Sequence, residues 1–206
     1  MTLGPEAPFK LAFIALFVSV AVIASRTARR AARGRGEPIN QLVHEAPGLI
    51  AIRSGLGIIF YTMLLIWLLR SRVPVWTRLP IPAGARWIAV GLIPFGVALF
   101  AWSFASIGDQ YRGGVGVRGD HRLVTTGAYR FVRHPIYLSF ILLMLLGTCI
   151  SANWIIGASG VALVSIIAIV RIPIEERELA ERFPATWPAY RSGTGCLLPH
   201  LRAWTR

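Results

Sequence analysis

The sequence predicts an all-α integral membrane protein with about five transmembrane helices, and composition is the first observation that does so. Of the 206 residues, 55% are hydrophobic and only 15% are charged, and the mean hydropathy is +0.60. Ordinary soluble domains carry about 25% charged residues. The second observation is that the apolar residues are concentrated in five stretches, most of them near the roughly 20 residues that a bilayer requires.

The five apolar stretches cover residues 9–25, 48–69, 87–107, 135–150 and 154–170. The first could be mistaken for a signal peptide, but Lys10 is the only positive charge at its start and the basic cluster "RTARRAARGR" follows it, which favours a retained helix. Only "SAN", residues 151–153, separates the last two stretches. A connection this short predicts an antiparallel helical hairpin.

The 22 basic residues predict an orientation in the membrane. Assigning them to alternate loops places 17 on one side and 5 on the other. Because cytoplasmic loops carry the excess of Lys and Arg, the N-terminus is predicted to be outside and the C-terminus cytoplasmic. The five residues assigned to the outer side, all of them to loops, are Lys10, Arg70, Arg72, Arg78 and Arg86.

A net charge of +13 and a pI near 11.4 would suggest a nucleic-acid partner in a soluble protein. No nucleic acid is expected here, since neither an aromatic-interleaved basic face nor a nucleic-acid motif accompanies the charge. Cys149 and Cys196 lack metal-ligand spacing, so no metal site and no disulfide framework is predicted. Residues 114–119 fit the spacing GxGxxG, but no predicted strand precedes them, so they are interpreted as a flexible loop.

Polar residues that are costly in lipid collect at the start of the fourth stretch and the end of the fifth. Pro173 is predicted to end the last membrane helix and to begin a new one. In a hairpin the two ends lie side by side, and His134 and Tyr137 share a helix face three residues apart. We therefore expect six residues to converge at one membrane edge: Arg133, His134, Tyr137, Arg171, Glu175 and Glu176.

The segments "HRLVTTGAYRFVRHPIY", "RIPIEERELAERF" and "WPAY...LLPH" resemble the isoprenylcysteine carboxyl methyltransferase family over roughly residues 105–200. The resemblance implies that S-adenosyl-L-methionine is the cofactor, bound between a cytosolic loop and the final helix. The residues implied to bind it are His121, Arg122, Leu123, Val124, Tyr129, His134, Pro135, Ile136, Tyr137 and Glu175. Arg171 is implied to face the substrate, and Arg171 and Glu175 are the predicted catalytic residues.

These expectations divide the chain into a three-helix transmembrane scaffold, residues 1–108, and a catalytic region, residues 109–206, that contains the cofactor loop, the helical hairpin and a C-terminal cytosolic helix. The expected function is methyl transfer to a lipophilic acceptor, most like the carboxylate of an isoprenylated cysteine. The expected partners are a lipophilic or lipid-anchored substrate and membrane lipids. The alternatives are methylation of a small thiol or a phospholipid amine, a nicotinamide-dependent reductase of the sterol-reductase type, and a non-enzymatic membrane scaffold.

Overall fold

The computed structural model describes residues 5–33, 47–70, 73–108 and 123–200, which form six α-helices and two short 3-10 helices. The α-helices are α1 (Ala7–Arg33), α2 (Pro47–Leu69), α3 (Ala83–Ile107), α4 (Pro135–Ser151), α5 (Trp154–Arg182) and α6 (Trp187–Gly193). The 3-10 helices cover Val75–Thr77 and Gly127–Arg130. Within these ranges the only β-type pairings are two isolated bridges, so the all-α prediction is confirmed.

Four of these helices, α1, α2, α3 and α5, are long and apolar enough to cross a membrane. The fifth predicted span is α4, an apolar helix of 17 residues. The chain is therefore an integral membrane protein, and the predicted orientation of its termini stays a prediction.

The predicted hairpin is confirmed at the junction of α4 and α5. Ala152 follows α4 in the left-handed conformation, with φ of 46°, and turns the chain. The side chain of Asn153 then accepts hydrogen bonds from the backbone N–H groups of Ile155 and Ile156, at 3.1 and 3.2 Å. Because these groups have no partner inside the helix, the asparagine caps the start of α5.

The hairpin is the centre of the bundle. Helix α3 packs against α4, α2 packs against α5, and α1 packs against both α3 and α4. Two of these helix contacts depend on glycines that face aromatic rings. A Cβ on Gly147 of α4 would lie 3.0 Å from Phe13 of α1, and a Cβ on Gly160 of α5 would lie 2.9 Å from Phe60 of α2. Small residues at such positions allow membrane helices to pack tightly.

The bundle has two ends, which we call the turn end and the site end. The turn end holds the turn at residues 151–153 together with the starts of α1 and α3, and the site end holds the start of α4 and the end of α5. The six residues expected to converge all lie at the site end.

Lys10 and Arg86 were predicted to lie in loops, and both predictions are wrong. Helix α1 begins at Ala7, so Lys10 lies in its first turn. Helix α3 begins at Ala83, before the apolar stretch, so Arg86 lies in its first turn and is buried. The guanidinium donates hydrogen bonds to both oxygens of Glu6, at 2.8 and 2.7 Å, and to the Ile150 carbonyl, at 3.0 and 2.8 Å. These hydrogen bonds offset the cost of removing the charged guanidinium from water.

The prediction that Pro173 ends the last membrane helix is also wrong, because α5 continues through this residue to Arg182. A proline inside a helix removes one backbone hydrogen bond and costs about 3 kcal/mol. The next turn carries Glu175 and Glu176, whose carboxylates contact residues at the start of α4. Those contacts favour the continuous helix and offset the cost of the proline.

Candidate active site

The site is built around the start of α4, where Pro135 occupies the first helical turn. Proline suits this position because the first N–H groups of a helix have no partner within it. Just before it, the backbone N–H groups of Arg133 and His134 donate to the carbonyls of Gly195 and Cys196, at 2.8 and 3.1 Å. The chain that follows α6 is therefore paired directly with the chain that precedes α4.

Arg133 ties α5 to the C-terminal segment, by which we mean residues 187–200. Its Nε donates to Glu176 Oε1 at 2.8 Å, and its Nη1 donates to the carbonyl of Arg191 at 3.0 Å and to that of Thr194. In the same segment the hydroxyl of Tyr190 donates to the Tyr129 carbonyl at 2.8 Å. These bonds hold the C-terminal segment against the site.

His134 lies between two carboxylates at the end of the bundle. Its Nε2 is 3.3 Å from Glu176 Oε1, and its Nδ1 is 3.5 Å from Glu175 Oε2. The hydroxyl of Tyr137 donates to the other oxygen of Glu175 at 2.7 Å. Both oxygens of Glu175 thus face donors, and the carboxylate is held in one orientation.

Two effects on the pKa of His134 oppose each other. Burial lowers this pKa, but hydrogen bonds to Glu175 and Glu176 and the charges of these carboxylates outweigh burial, so the pKa lies above its ordinary value of 6.5. The imidazole is therefore stabilised in its protonated form, in which both ring nitrogens donate.

The raised pKa of His134 predicts how stability depends on pH. The contribution of His134 to folding stability is fully present below pH 6.5, where this histidine is protonated in the unfolded chain as well. It is lost as pH rises through the raised pKa of the folded protein. We expect the melting temperature in detergent to fall as pH rises above about 6.5, and to fall less in the His134→Gln variant. An equal fall in both proteins, measured by tryptophan fluorescence, would contradict this assignment.

Arg171 lies on the same face of α5 as Glu175, one turn earlier, and contacts Tyr137. Among the side chains that the structure describes, its Nε is the one buried nitrogen or oxygen without a hydrogen-bond partner. A buried unpaired donor costs about 1 to 3 kcal/mol. The guanidinium therefore has an unmet capacity to bind an acceptor oxygen.

These groups open into a cavity of about 570 Å³ that runs between the helices. Its polar end is lined by Arg133, His134, Tyr137, Arg171, Glu175 and Glu178. Its apolar part is lined by side chains from four helices, among them Phe13, Phe17, Phe60, Phe140, Leu163 and Ile167. Cavities of 300 to 1,000 Å³ typically hold small-molecule ligands.

One face of α5 marks the change from apolar to polar lining. At intervals of three or four residues this face presents Gly160, Val164, Ile167, Arg171 and Glu175 to the cavity. Arg171 is thus the residue at which the apolar wall ends and the charged wall begins.

The structure brings most of the predicted site residues to this cavity. Those in its wall are Leu123, Val124, Tyr129, His134, Ile136, Tyr137, Arg171 and Glu175. Pro135 is buried in the first turn of α4 and is not among the lining residues. His121 and Arg122 lie outside the described residues, as do the GxGxxG-like residues 114–119. The assignment of cofactor-binding and catalytic roles stays a prediction.

His134, Glu176 and Cys196 each offer a possible metal-ligand atom, and these atoms lie within 4.8 Å of one another. The Glu176 carboxylate already accepts a hydrogen bond from Arg133, and Arg191 lies 3.6 Å from its other oxygen. Burial raises the pKa of the Cys196 thiol, whereas a metal ligand must be the thiolate. We therefore interpret the group as a hydrogen-bonded network, and the expected absence of a metal stays a prediction.

Several lining residues did not enter the predicted site. Trp187 and Tyr190 from α6 contribute to the wall, as do Phe13 and Phe17 from α1. The motif "WPAY" contains the first two and was the signal that could have found them. The phenylalanines carried no such signal, because an aromatic residue in an apolar stretch has the same pattern whether it faces lipid or a cavity.

Comparison with known proteins agrees with this site. The sequence model of the isoprenylcysteine carboxyl methyltransferase (ICMT) family matches residues 88–181, which include α4 and nearly all of α5. Methanethiol S-methyltransferase 1 of Bradyrhizobium diazoefficiens is 34% identical over 82 residues, which are 40% of this chain. The chain spans 28% of the length of that curated relative.

The fold and the site define a class: a multi-pass, all-helical membrane protein whose charged site opens into an apolar cavity. Residues 88–181 of this chain match the isoprenylcysteine carboxyl methyltransferase family model, so the resemblance seen in the sequence is confirmed.

Proposed function

We propose that the protein is an S-adenosylmethionine-dependent methyltransferase that acts on a lipophilic acceptor, most like the carboxylate of an isoprenylated cysteine. The observation that carries this proposal is the buried, unpaired Nε of Arg171 at the junction between the apolar and the charged walls. An acceptor with an apolar tail and an anionic head matches that junction. Residues 109–206 are proposed to supply the catalytic groups, and α1 and α2 add apolar lining.

The residues at the polar end fit S-adenosylmethionine, which supplies a methyl group on a sulfonium sulfur when it is bound. Tyr129 and Tyr137 offer aromatic faces, which attract a cation by roughly 0.5 to 2 kcal/mol. Glu175 offers a carboxylate to an ammonium group, and the His134 side chain beside it is buried. We propose that these side chains, together with Leu123 and Val124, hold the cofactor.

The chemistry at Arg171 favours a carboxylate acceptor. A carboxylate is ionised at neutral pH, so no residue of this chain has to remove a proton from it. Bound S-adenosylmethionine would supply the methyl group to a carboxylate oxygen, with the electron pair of the broken carbon–sulfur bond left on sulfur. The chain's task is to position the acceptor, and a guanidinium can bind both oxygens of a carboxylate.

A thiol acceptor is the second candidate, because the relative from Bradyrhizobium is named for methanethiol S-methylation. A thiol has to lose a proton before or during transfer. The two nearest bases are poorly suited to this: the raised pKa of His134 favours its protonated form, and both oxygens of Glu175 face donors. The site geometry therefore supports the carboxylate acceptor more strongly.

The class of the reaction is tested by titrating the purified protein in detergent with S-adenosylhomocysteine and, separately, with NADPH. We expect binding of the first and not of the second, because the site offers a carboxylate and aromatic faces at its polar end. Binding of NADPH alone would favour the reductase alternative. Binding of neither would contradict the proposed cofactor site.

The acceptor is tested by incubating the same protein with S-adenosylmethionine and either a farnesylcysteine analogue or an alkanethiol. Mass spectrometry then identifies a methyl ester or a methyl thioether. We expect the ester, and formation of the thioether alone would contradict the carboxylate assignment. The Glu175→Gln variant serves as the control. Loss of its charged hydrogen-bonding group should weaken cofactor binding by about 5- to 150-fold, whichever of the two methyl acceptors is present.

A further inference from the structure

A second cavity, of about 330 Å³, lies at the turn end of the bundle, opposite the active site. Its wall includes Lys10, Arg70, Arg78, Arg86 and a single acidic residue, Glu6. These cations are four of the five basic residues that the sequence assigns to the less basic side of the membrane, and the fifth, Arg72, lies outside the described residues. The basic residues of that side that the structure describes thus line one cavity.

The one carboxylate does not balance the charge of this cavity. Glu6 is bound at both oxygens by Arg86, whose guanidinium is buried. The Arg86 hydrogen bond lowers the pKa of Glu6, and the charges of Lys10 and Arg78 lower it further. The cavity therefore has a positive electrostatic potential, including at the position of the Glu6 carboxylate.

The remaining cations also line this cavity, and two of them donate to backbone carbonyls. Lys10 donates to the carbonyls of Leu68 and Arg70, at 3.2 and 2.8 Å, which caps the end of α2. Arg78 donates through Nη2 to the Val73 carbonyl at 3.3 Å, and the side chains of Arg70 and Arg78 are exposed. Two guanidinium groups are therefore accessible at the mouth of a positively charged cavity.

Exposed tryptophans mark the level of this cavity relative to the membrane. Trp76, Trp87 and Trp154 are 68%, 52% and 45% exposed and lie at the turn end. The indole of Trp154 donates to the Trp76 carbonyl at 2.9 Å. Tryptophan is enriched at the boundary between hydrocarbon and water, so the cavity lies at the depth of lipid headgroups.

We propose that this cavity binds the phosphate of an anionic phospholipid headgroup, with Arg70 and Arg78 as its main ligands and Lys10 behind them. Guanidinium groups bind phosphate oxygens in pairs, and basic pockets between membrane helices are suited to anionic headgroups. A free anion would use the same donors, but the tryptophan belt places the site where lipid headgroups are concentrated. This site is separate from the proposed active site and does not depend on the proposed reaction.

The test uses the purified full chain in detergent and native mass spectrometry. The probes are phosphatidylglycerol and phosphatidylcholine with identical acyl chains, and inorganic phosphate. We expect the unmodified protein to prefer phosphatidylglycerol, and the Arg70→Gln/Arg78→Gln variant to bind it about 10- to 100-fold more weakly. The matched control is Arg26→Gln/Arg29→Gln, two exposed arginines of α1, and we expect no change from it.

Three results would overturn the proposal. Equal affinity of the unmodified protein for the two lipids would remove the anionic site, and this readout does not require any variant to fold. An equal loss in the Arg26→Gln/Arg29→Gln control would show binding by basic surface in general. Inorganic phosphate that competes at the same concentration as phosphatidylglycerol would show a free-anion site instead of a lipid site.

Discussion

Replacement of Arg171 by lysine is expected to lower methyl transfer to a farnesylcysteine analogue by about 10- to 100-fold, because a charged hydrogen bond contributes about 1.5 to 3 kcal/mol. Lysine keeps the charge but lacks the planar fork that can hold both oxygens of a carboxylate. Affinity for S-adenosylhomocysteine, measured by calorimetry, should stay within a few-fold of the parent. The Arg171→Ala variant should lose transfer at least as strongly.

The matched control for this prediction is Arg177→Lys, because Arg177 lies on the same helix, is exposed and is not in the cavity wall. We expect its rate and its cofactor affinity to stay at parent level. Near-parent transfer by Arg171→Lys would show that Arg171 does not anchor the acceptor. A fall in cofactor affinity without a separate fall in turnover would assign the guanidinium to the cofactor instead.

The elements that were predicted correctly are those fixed by local sequence. Pro135 sets the start of α4, and the three residues 151–153 leave room only for a tight turn, so the hairpin follows from chain length alone. The hairpin in turn brings the start of α4 to the end of α5. The meeting of His134 and Tyr137 with Glu175 and Glu176 is therefore a consequence of one short loop.

The errors arose where distant parts of the chain decide the outcome. Pro173 does not end α5, because contacts from the next turn to the start of α4 compensate its missing hydrogen bond. Arg86 is buried because Glu6, which is 80 residues away in the chain, supplies a carboxylate to it. No pattern within a short window of sequence contains either interaction, although both are ordinary charge pairing once the fold is known.

Replacement of Glu176 by glutamine is expected to loosen the C-terminal segment and to weaken S-adenosylhomocysteine binding by about 10- to 100-fold. The Glu176 side chain is 14% exposed and faces three basic side chains, Arg133, His134 and Arg191. Glutamine keeps the shape but leaves buried positive charges without an anion, which is costly. Hydrogen exchange of residues 187–200 and calorimetric affinity for S-adenosylhomocysteine measure the two effects.

Glu181→Gln is the matched control, since Glu181 is an exposed residue of α5 outside the cavity wall. It should leave exchange and affinity at parent values. Unchanged protection of residues 187–200 in Glu176→Gln would show that the C-terminal segment is held by its backbone pairing to Arg133 and His134 alone. In that case the carboxylate would not be needed to position the segment.

A double-mutant cycle with Arg133→Gln separates the ion pair from the rest of this network. Arg133 binds Glu176 through Nε and the carbonyls of Arg191 and Thr194 through Nη1, so one side chain links α5 to the C-terminal segment. If the pair acts as a unit, Arg133→Gln/Glu176→Gln should exchange no faster than the worse single variant, because the second change removes a partner that is already lost. Additive effects would instead mean that Glu176 acts mainly through His134.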